Sequence, residues 1–240
     1  ILEISKLPNV INNTIVIMAG GLGKRLRPMT NTIPKPLLKV GNKPIIRRIT
    51  DKFSNEGFHQ FIISLGYLSE KFLDYYSNHD KSISPKFIFE KKPLGTAGPL
   101  SSLLDIDDIS YPIVVTNGDV IFDDNIFSVL DYFERSSIDG LMLCREEFCS
   151  VPYGVVESDN KNNFITIKEK PKYKYLVNGG IYILTKKIIE LIKQEEIIDM
   201  PDLFIRAKLK KYLIKTHTLK DYWIDVGRVA NLEEANQKFN

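Results

Sequence analysis

The chain has 240 residues, with 33 Lys+Arg against 30 Asp+Glu, a formal charge of +3, and a composition 43% hydrophobic and 26% charged. At roughly 100–200 residues per domain it is one large domain or two small ones, and its composition excludes a disordered chain. No apolar run approaches the ~18–20 residues of a membrane helix, and the brief basic stretches, such as Lys208 to Lys211, lack the interleaved aromatics of a nucleic-acid surface. Neither a membrane nor a nucleic-acid partner is expected.

Ile1 to Lys6 contain no Met, no basic region and no long apolar run, so they do not read as a signal peptide. The missing Met suggests that the chain begins inside a longer polypeptide, with residues 1–13 as a linker remnant. From Thr14 onward strands alternate with helices. Apolar β-branched runs predict strands at Thr14–Ala19, Gln60–Leu65, Lys86–Glu90, Pro112–Thr116 and Leu141–Cys144. Helical patterns fall between them at Pro44–Asn55, Ser69–Tyr76, Thr96–Leu104 and Asn125–Ser136. This alternation implies an α/β fold, a Rossmann-like, mostly parallel mixed sheet flanked by helices.

After Ser150 the texture changes. Short strands at Tyr153–Glu157, Asn163–Ile167 and Gly180–Leu184 are joined by polar turns, which suggests a small additional β/α layer on the core. Helices at Lys186–Gln194 and Pro201–Lys208, strands near Tyr212–Lys215 and Tyr222–Ile224, and a helix over Val229–Phe239 complete the chain. No Pro/Gly-rich linker separates the halves, so residues 14–240 read as one domain, divided near 150. Cys144 and Cys149 form no CxxC and have no His at ligand spacing, which argues against disulfide and zinc and for a reducing, cytoplasmic setting.

The chemistry concentrates after the first strand. Gly20, Gly21 and Gly23 free backbone amides to turn toward an anion, and Lys24, Arg25, Arg27 and Lys35 follow within fifteen residues. Together they form a polyphosphate cradle. A Walker A loop needs Gly at 18 and Ser or Thr at 25, where this chain has Met18 and Arg25. A dinucleotide fingerprint needs a third Gly at 26, where Leu26 stands. That leaves a nicotinamide oxidoreductase supported only by the strand–glycine–helix order.

The run from Ala19 to Pro28, followed by Pro34-Lys35-Pro36-Leu37, resembles the signature of the sugar-nucleotide pyrophosphorylases, which join a nucleoside triphosphate to a sugar 1-phosphate. The likeness extends from about Thr14 to Asn236. Lys24 departs from it, since many members carry Thr or Ser there. The resemblance implies that Gly20, Gly21, Leu22, Gly23, Lys24, Arg25 and Lys35 hold the triphosphate. It also implies that Leu65-Gly66 and Leu94-Gly95-Thr96 meet the base and ribose. Asp119 ends a buried strand, where ligands bind in open α/β sheets; with Gly118 it matches the family's nucleotide site. Asp119 and Asp225 together imply a Mg²⁺ site, a pair suited to a cation that takes one or two carboxylates plus phosphates. A DxD triplet, expected of a metal-dependent glycosyltransferase, is absent at Asp119.

On the sugar-phosphate side the same resemblance implies Tyr153, Gly154, Glu169, Lys170, Asn178 and Gly179. The three His residues lie outside every motif, and none is needed: a sugar phosphate, with a second pKa around 6, is already largely dianionic at pH 7. Catalysis then rests on alignment and charge neutralisation by Arg25, Lys35, Asp119 and Lys170. Among subgroups, Cys144-Arg145-Glu146, Asp199 to Phe204 and Tyr222 to Arg228 look most like guanylyltransferases of hexosamine 1-phosphates in nonulosonic (legionaminic-type) acid synthesis. Their transferase domain often follows paired regulatory CBS modules, and a homo-oligomer is an associated expectation. Mannose-1-phosphate guanylyltransferases, thymidylyl- and uridylyltransferases, and a silent nucleotide-sensing domain are the alternatives.

Overall fold

The computed structural model describes residues 10–240; most of the expected linker remnant, residues 1–9, lies outside the described residues. The folded body reaches back to Ile11, which is buried and bridges to Phe58. The central strand β1 (Ile15–Met18) leads into the glycine-rich loop. A small hairpin, β2 (Lys39–Val40) with β3 (Lys43–Pro44), then feeds α1 (Ile45–Asn55). Next come β4 (Phe61–Leu65), α2 (Ser69–Asp74), β5 (Lys86–Phe89) and β6 (Ile113–Asn117), with β4 and β6 flanking β1 in parallel. Helix α3 (Ile126–Arg135), capped by the Asn125 side chain accepting from the Ser128 amide, follows a short strand β7 (Val120–Phe122).

The second half adds β8 (Gly140–Ser150), β9 (Val155–Ser158), β10 (Phe164–Lys168) and β11 (Lys172–Leu184). It closes with α4 (Lys186–Ile189), α5 (Met200–Leu209), β12 (Ile214–Thr218), β13 (Trp223–Asp225) and α6 (Val229–Phe239). The main sheet has seven strands in the order β12-β8-β11-β6-β1-β4-β5. Strand β11 runs antiparallel to both its neighbours, which makes the mostly parallel sheet mixed, as the sequence implies.

Alternation along the strands sorts the core into two layers. Ile15, Ile17, Ile63 and Val114 face α1, α3 and α6, where Phe53 packs edge-on against Phe58 and Phe122. Val16, Ile62, Ile113 and Val115 face the opposite way, toward α4 and α5. Both faces are covered, so strand ends, not faces, are free to carry function.

Three expectations change in detail. The helix expected over Thr96–Leu104 is a 3-10 segment over Gly98–Asp105, because Gly98-Pro99 begins it and the Ser101 hydroxyl bonds back to the Gly98 carbonyl. Strands β8 and β11 run well past Cys144 and before Gly180: they leave the sheet as a two-stranded ribbon from which the β9–β10 hairpin springs. The helix expected over Lys186–Gln194 is regular only to Ile189.

Candidate active site

The cleft opens where β1 and β6 end. It encloses ≈ 240 Å³ and is lined by Gly21, Gly23, Lys24, Arg25, Lys35, Gly118, Asp119 and Gly227, among others. Gly23 is left-handed, φ 60°, and a Cβ there would meet the Thr30 methyl at 2.9 Å; the Thr30 hydroxyl in turn donates to the Gly23 carbonyl at 2.8 Å. The loop is thus pinned in a shape only glycine takes without strain. Leu26, fully buried, anchors the next turn and leaves Leu22, Lys24 and Arg25 at the surface.

Lys35 behaves differently. The 3-10 turn Lys35–Leu37 buries it to 8% exposure, and its ammonium pairs with Asp119 and lies 3.5 Å from Asp225 Oδ1. The two carboxylates meet because β7 and β13 pair antiparallel, with Asp225 opposite Val120 and the Val226 amide donating to the Asp119 carbonyl at 2.9 Å. Gly227 permits the approach: a Cβ there would meet Asp225 Oδ1 at 2.8 Å and the Arg25 guanidinium at 3.2 Å. Lys24, Arg25 and Arg27 have no ion-pair partner among the described residues; of these, Lys24 and Arg25 line the cleft and Arg27 lies outside its lining.

Burial, and then the neighbouring Asp119 charge, push the Asp225 carboxyl above the usual carboxylate range, against the pull of Lys35 and Arg25. Asp225 Oδ1 is buried, and its one cationic neighbour, Lys35, approaches only to 3.5 Å without completing a hydrogen bond. An under-satisfied carboxylate oxygen beside a second carboxylate is an all-oxygen donor set, which fits a hard divalent cation. Among the described residues no group of three His, Cys, Asp or Glu could enclose a metal. The fit is therefore to an open site with positions left for further oxygen ligands.

On the other flank the loops after β1, β4 and β5 touch. A Cβ on Gly66 would meet the Gly20 carbonyl at 2.9 Å, so these loops meet backbone to backbone beside Leu65. Glu90, which belongs to none of the sequence motifs, also lies here. Its carboxylate lies against Gly20, accepts from the Ser64 hydroxyl at 3.0 Å and from the Leu94 amide at 3.2 Å, and is pushed upward in pKa by burial. The available signal was its place at the C-terminal end of a parallel strand, the rule that singles out Asp119. Gly95 follows at φ 79°, and Thr96 is hydrogen-bonded to Asp199.

The residues expected on the sugar-phosphate side lie outside the cleft's lining, as do Leu65, Gly66, Leu94, Gly95 and Thr96. Gly154 lets the Glu169 carboxylate close in, since a Cβ there would meet Glu169 Oε2 at 3.0 Å. Lys170 holds a left-handed φ of 43°, a strained conformation of the kind found at ligand clamps. Asn178 donates to the Tyr182 hydroxyl at 2.7 Å and accepts from the Gly180 amide at 2.9 Å, within the bulge of β11. Burial raises the Tyr182 hydroxyl to about 12, so it stays protonated. The Trp223 indole donates to the Gly179 carbonyl at 2.8 Å, which ties β13, and hence Asp225, to that bulge.

The nucleotidyl transferase family model matches residues 14–240. The chain belongs to that family. It is 30% identical over 213 residues to the D-glycero-alpha-D-manno-heptose 1-phosphate guanylyltransferase of Campylobacter jejuni, covering 88% of this chain and 93% of that one. Its likeness to the bifunctional protein GlmU of Methanocaldococcus jannaschii is 33% over 228 residues, 92% of this chain but 53% of the relative. The chain thus spans about half the length of the archaeal relatives it matches. Among solved structures, HddC from Yersinia pseudotuberculosis complexed with GMP-PN shares the fold at TM-score 0.71 and 28% identity, covering 95% of this chain and all of HddC.

Proposed function

We propose that this chain transfers a guanylyl group from GTP to a sugar 1-phosphate, yielding a GDP-sugar and pyrophosphate. The observation that carries the reading is the cleft: Lys35 between Asp119 and Asp225, with the unpaired cations Lys24 and Arg25 lining the same cavity. Such a site suits a reaction between two polyanions that needs alignment and charge neutralisation and no general base. The sugar-phosphate oxygen attacks the α-phosphorus, a new P–O bond forms, and the bond to the β-phosphate's bridging oxygen breaks. Arg25, Lys24 and the loop amides of Gly20 to Gly23 hold the leaving β- and γ-phosphates. Lys35 and Lys170 stabilise charge at the α-phosphate and the incoming phosphate. Asp119 and Asp225 would hold a divalent cation, Mg²⁺, which when bound neutralises the phosphate oxygens between them.

Two observations support guanine. The Campylobacter relative is named as a guanylyltransferase, and HddC was solved with GMP-PN. Glu90 supplies the chemistry: a carboxylate offers about four lone-pair sites, two of which Ser64 and Leu94 use. The remainder match the adjacent N1–H and N2–H donors that guanine presents side by side. For the sugar we propose a hexosamine 1-phosphate, held by Tyr153, Gly154, Glu169, Asn178 and Gly179; the motif resemblance around Asp199–Phe204 and Tyr222–Arg228 supports it, and with it a place in cell-surface carbohydrate synthesis.

Isotope placement tests the reaction. With GTP labelled at the α-phosphorus, label should appear in the sugar nucleotide; with label at the γ-phosphorus, in pyrophosphate. Label from the γ position in the sugar product would make the protein a kinase and end the proposal.

A further inference from the structure

Residues 94–98 are held from outside by the segment entering α5. The Ile198 amide donates to the Leu94 carbonyl at 3.0 Å, and the Ile198 carbonyl accepts from the Ala97 and Gly98 amides at 3.0 and 3.1 Å. Asp199 stands at the N-cap of α5, where an Asp ordinarily accepts from an amide of its own first turn. Its side chain makes no such bond. Asp199 Oδ1 instead accepts from the Thr96 amide at 2.8 Å and the Thr96 hydroxyl at 3.2 Å, while that hydroxyl accepts from the Met200 amide at 2.8 Å. The loop and the helix have exchanged caps: Thr96 serves the helix and Asp199 serves the loop.

The exchange fixes the conformation of Gly95. At φ 79° a Cβ there would meet the Ile198 carbonyl at 2.5 Å and Asp199 Oδ1 at 2.8 Å, so loop and clamp fit face to face. Leu94 sits between the two systems, with its carbonyl bound to Ile198 and its amide bound to Glu90 Oε2. Asp199 is therefore linked to the Glu90 carboxylate by hydrogen bonds at Thr96 and Leu94 and by the short run of backbone, through Gly95, between them. We infer that Asp199 is a positioning residue for nucleobase recognition: it sets the loop that aims Glu90, from an element that contributes nothing to the cleft lining. This rests on the reading of Glu90 as the base-facing group.

The test is a comparison of Asp199→Ala with Asp199→Asn, which keeps an Oδ1 acceptor for the Thr96 amide. Loss of the charge-assisted hydrogen bonds from the Thr96 amide and hydroxyl predicts a rise of about tenfold in the GTP KM for Asp199→Ala. The sugar-phosphate KM and kcat should stay within about twofold, and preference for GTP over UTP should narrow. Asp199→Asn should recover most of the GTP KM. An Asp199→Ala enzyme with wild-type GTP KM and base preference overturns the inference, as does one in which kcat and both KM values worsen together without recovery in Asp199→Asn. If Asp199→Ala does not fold, Thr96→Ala removes the other half of the exchange, and should raise the GTP KM about threefold with the sugar-phosphate KM unmoved; an unchanged GTP KM overturns it. Should the wild type use another nucleotide, the same ratios are read with that one, so base choice and the role of Asp199 fail separately.

Discussion

The cleft floor and the β-ribbon are built on opposite terms. The charged groups of the floor are set on packed elements: Asp119 follows β6, a strand buried almost to its end, and Lys35 is packed out of solvent by the 3-10 turn that carries it. The ribbon formed by the far ends of β8 and β11, with the β9–β10 hairpin, carries its apolar side chains in the open. Tyr153 is 74% exposed and Phe164 67%, and Phe148, Ile165 and Tyr175 are exposed as well. A two-stranded unit without a covered face is marginally stable by itself. On the function proposed above, the two regions do different work: the cleft carries the charge that meets the phosphates, and the ribbon carries the residues proposed to hold the sugar.

The largest effect that would break this contrast is in the cleft. Arg25→Ala should lower kcat by on the order of 10²–10³ with the fold intact, by analogy with loss of a preorganised donor. Steady-state turnover near wild type would remove Arg25 from the phosphate site. Glu90→Gln comes next. An amide accepts one N–H and donates the other way, which matches uracil's N3–H and O4 better than guanine, so the GTP/UTP ratio of kcat/KM should fall by about 10–100-fold. On the ribbon, Tyr153→Ala should raise the sugar-phosphate KM about fivefold with kcat within twofold. A kcat loss as deep as that of Arg25→Ala would erase the distinction between the regions.

Two smaller effects sharpen it. Because burial raises the Glu90 carboxyl, it takes up its proton at a higher pH than an ordinary glutamate. The charged form accepts from guanine, so GTP affinity should weaken on the acid side, starting above the ordinary glutamate range. Glu90→Gln should flatten that arm when binding is followed by calorimetry without sugar phosphate. Hydrogen exchange should show the amides of β9 and β10 opening far more readily than those of β1 and β6; equal protection would mean the ribbon is as rigid as the sheet.

The same division governs what could be read from the sequence. Strands β1, β4 and β6 are legible because burial on both faces demands unbroken apolar, β-branched runs. Helix α6 falls on Val229–Phe239 as its pattern indicates. The ribbon was not legible in full, because past Cys144 both faces are wet and hydrophobic alternation no longer marks the strand. Strand β7 was missed for another reason: three residues long, it is a strand only by pairing with β13, a hundred residues on. In the site, the glycines, the cations and the two aspartates announce themselves in local motifs. Glu90 does not, since beside Lys91 and Lys92 it looks like one more surface charge. Asp199 could not, because its role exists only once α5 docks on the loop after β5.

The central claim is most directly tested by pyrophosphate release, with Mg²⁺, from GTP, UTP, dTTP, CTP and ATP against glucosamine, mannose, glucose and N-acetylglucosamine 1-phosphates. The account predicts release with GTP and a hexosamine 1-phosphate, abolished when either is omitted. Folded protein that binds GTP yet releases no pyrophosphate with any sugar phosphate would contradict it and leave a nucleotide sensor in its place.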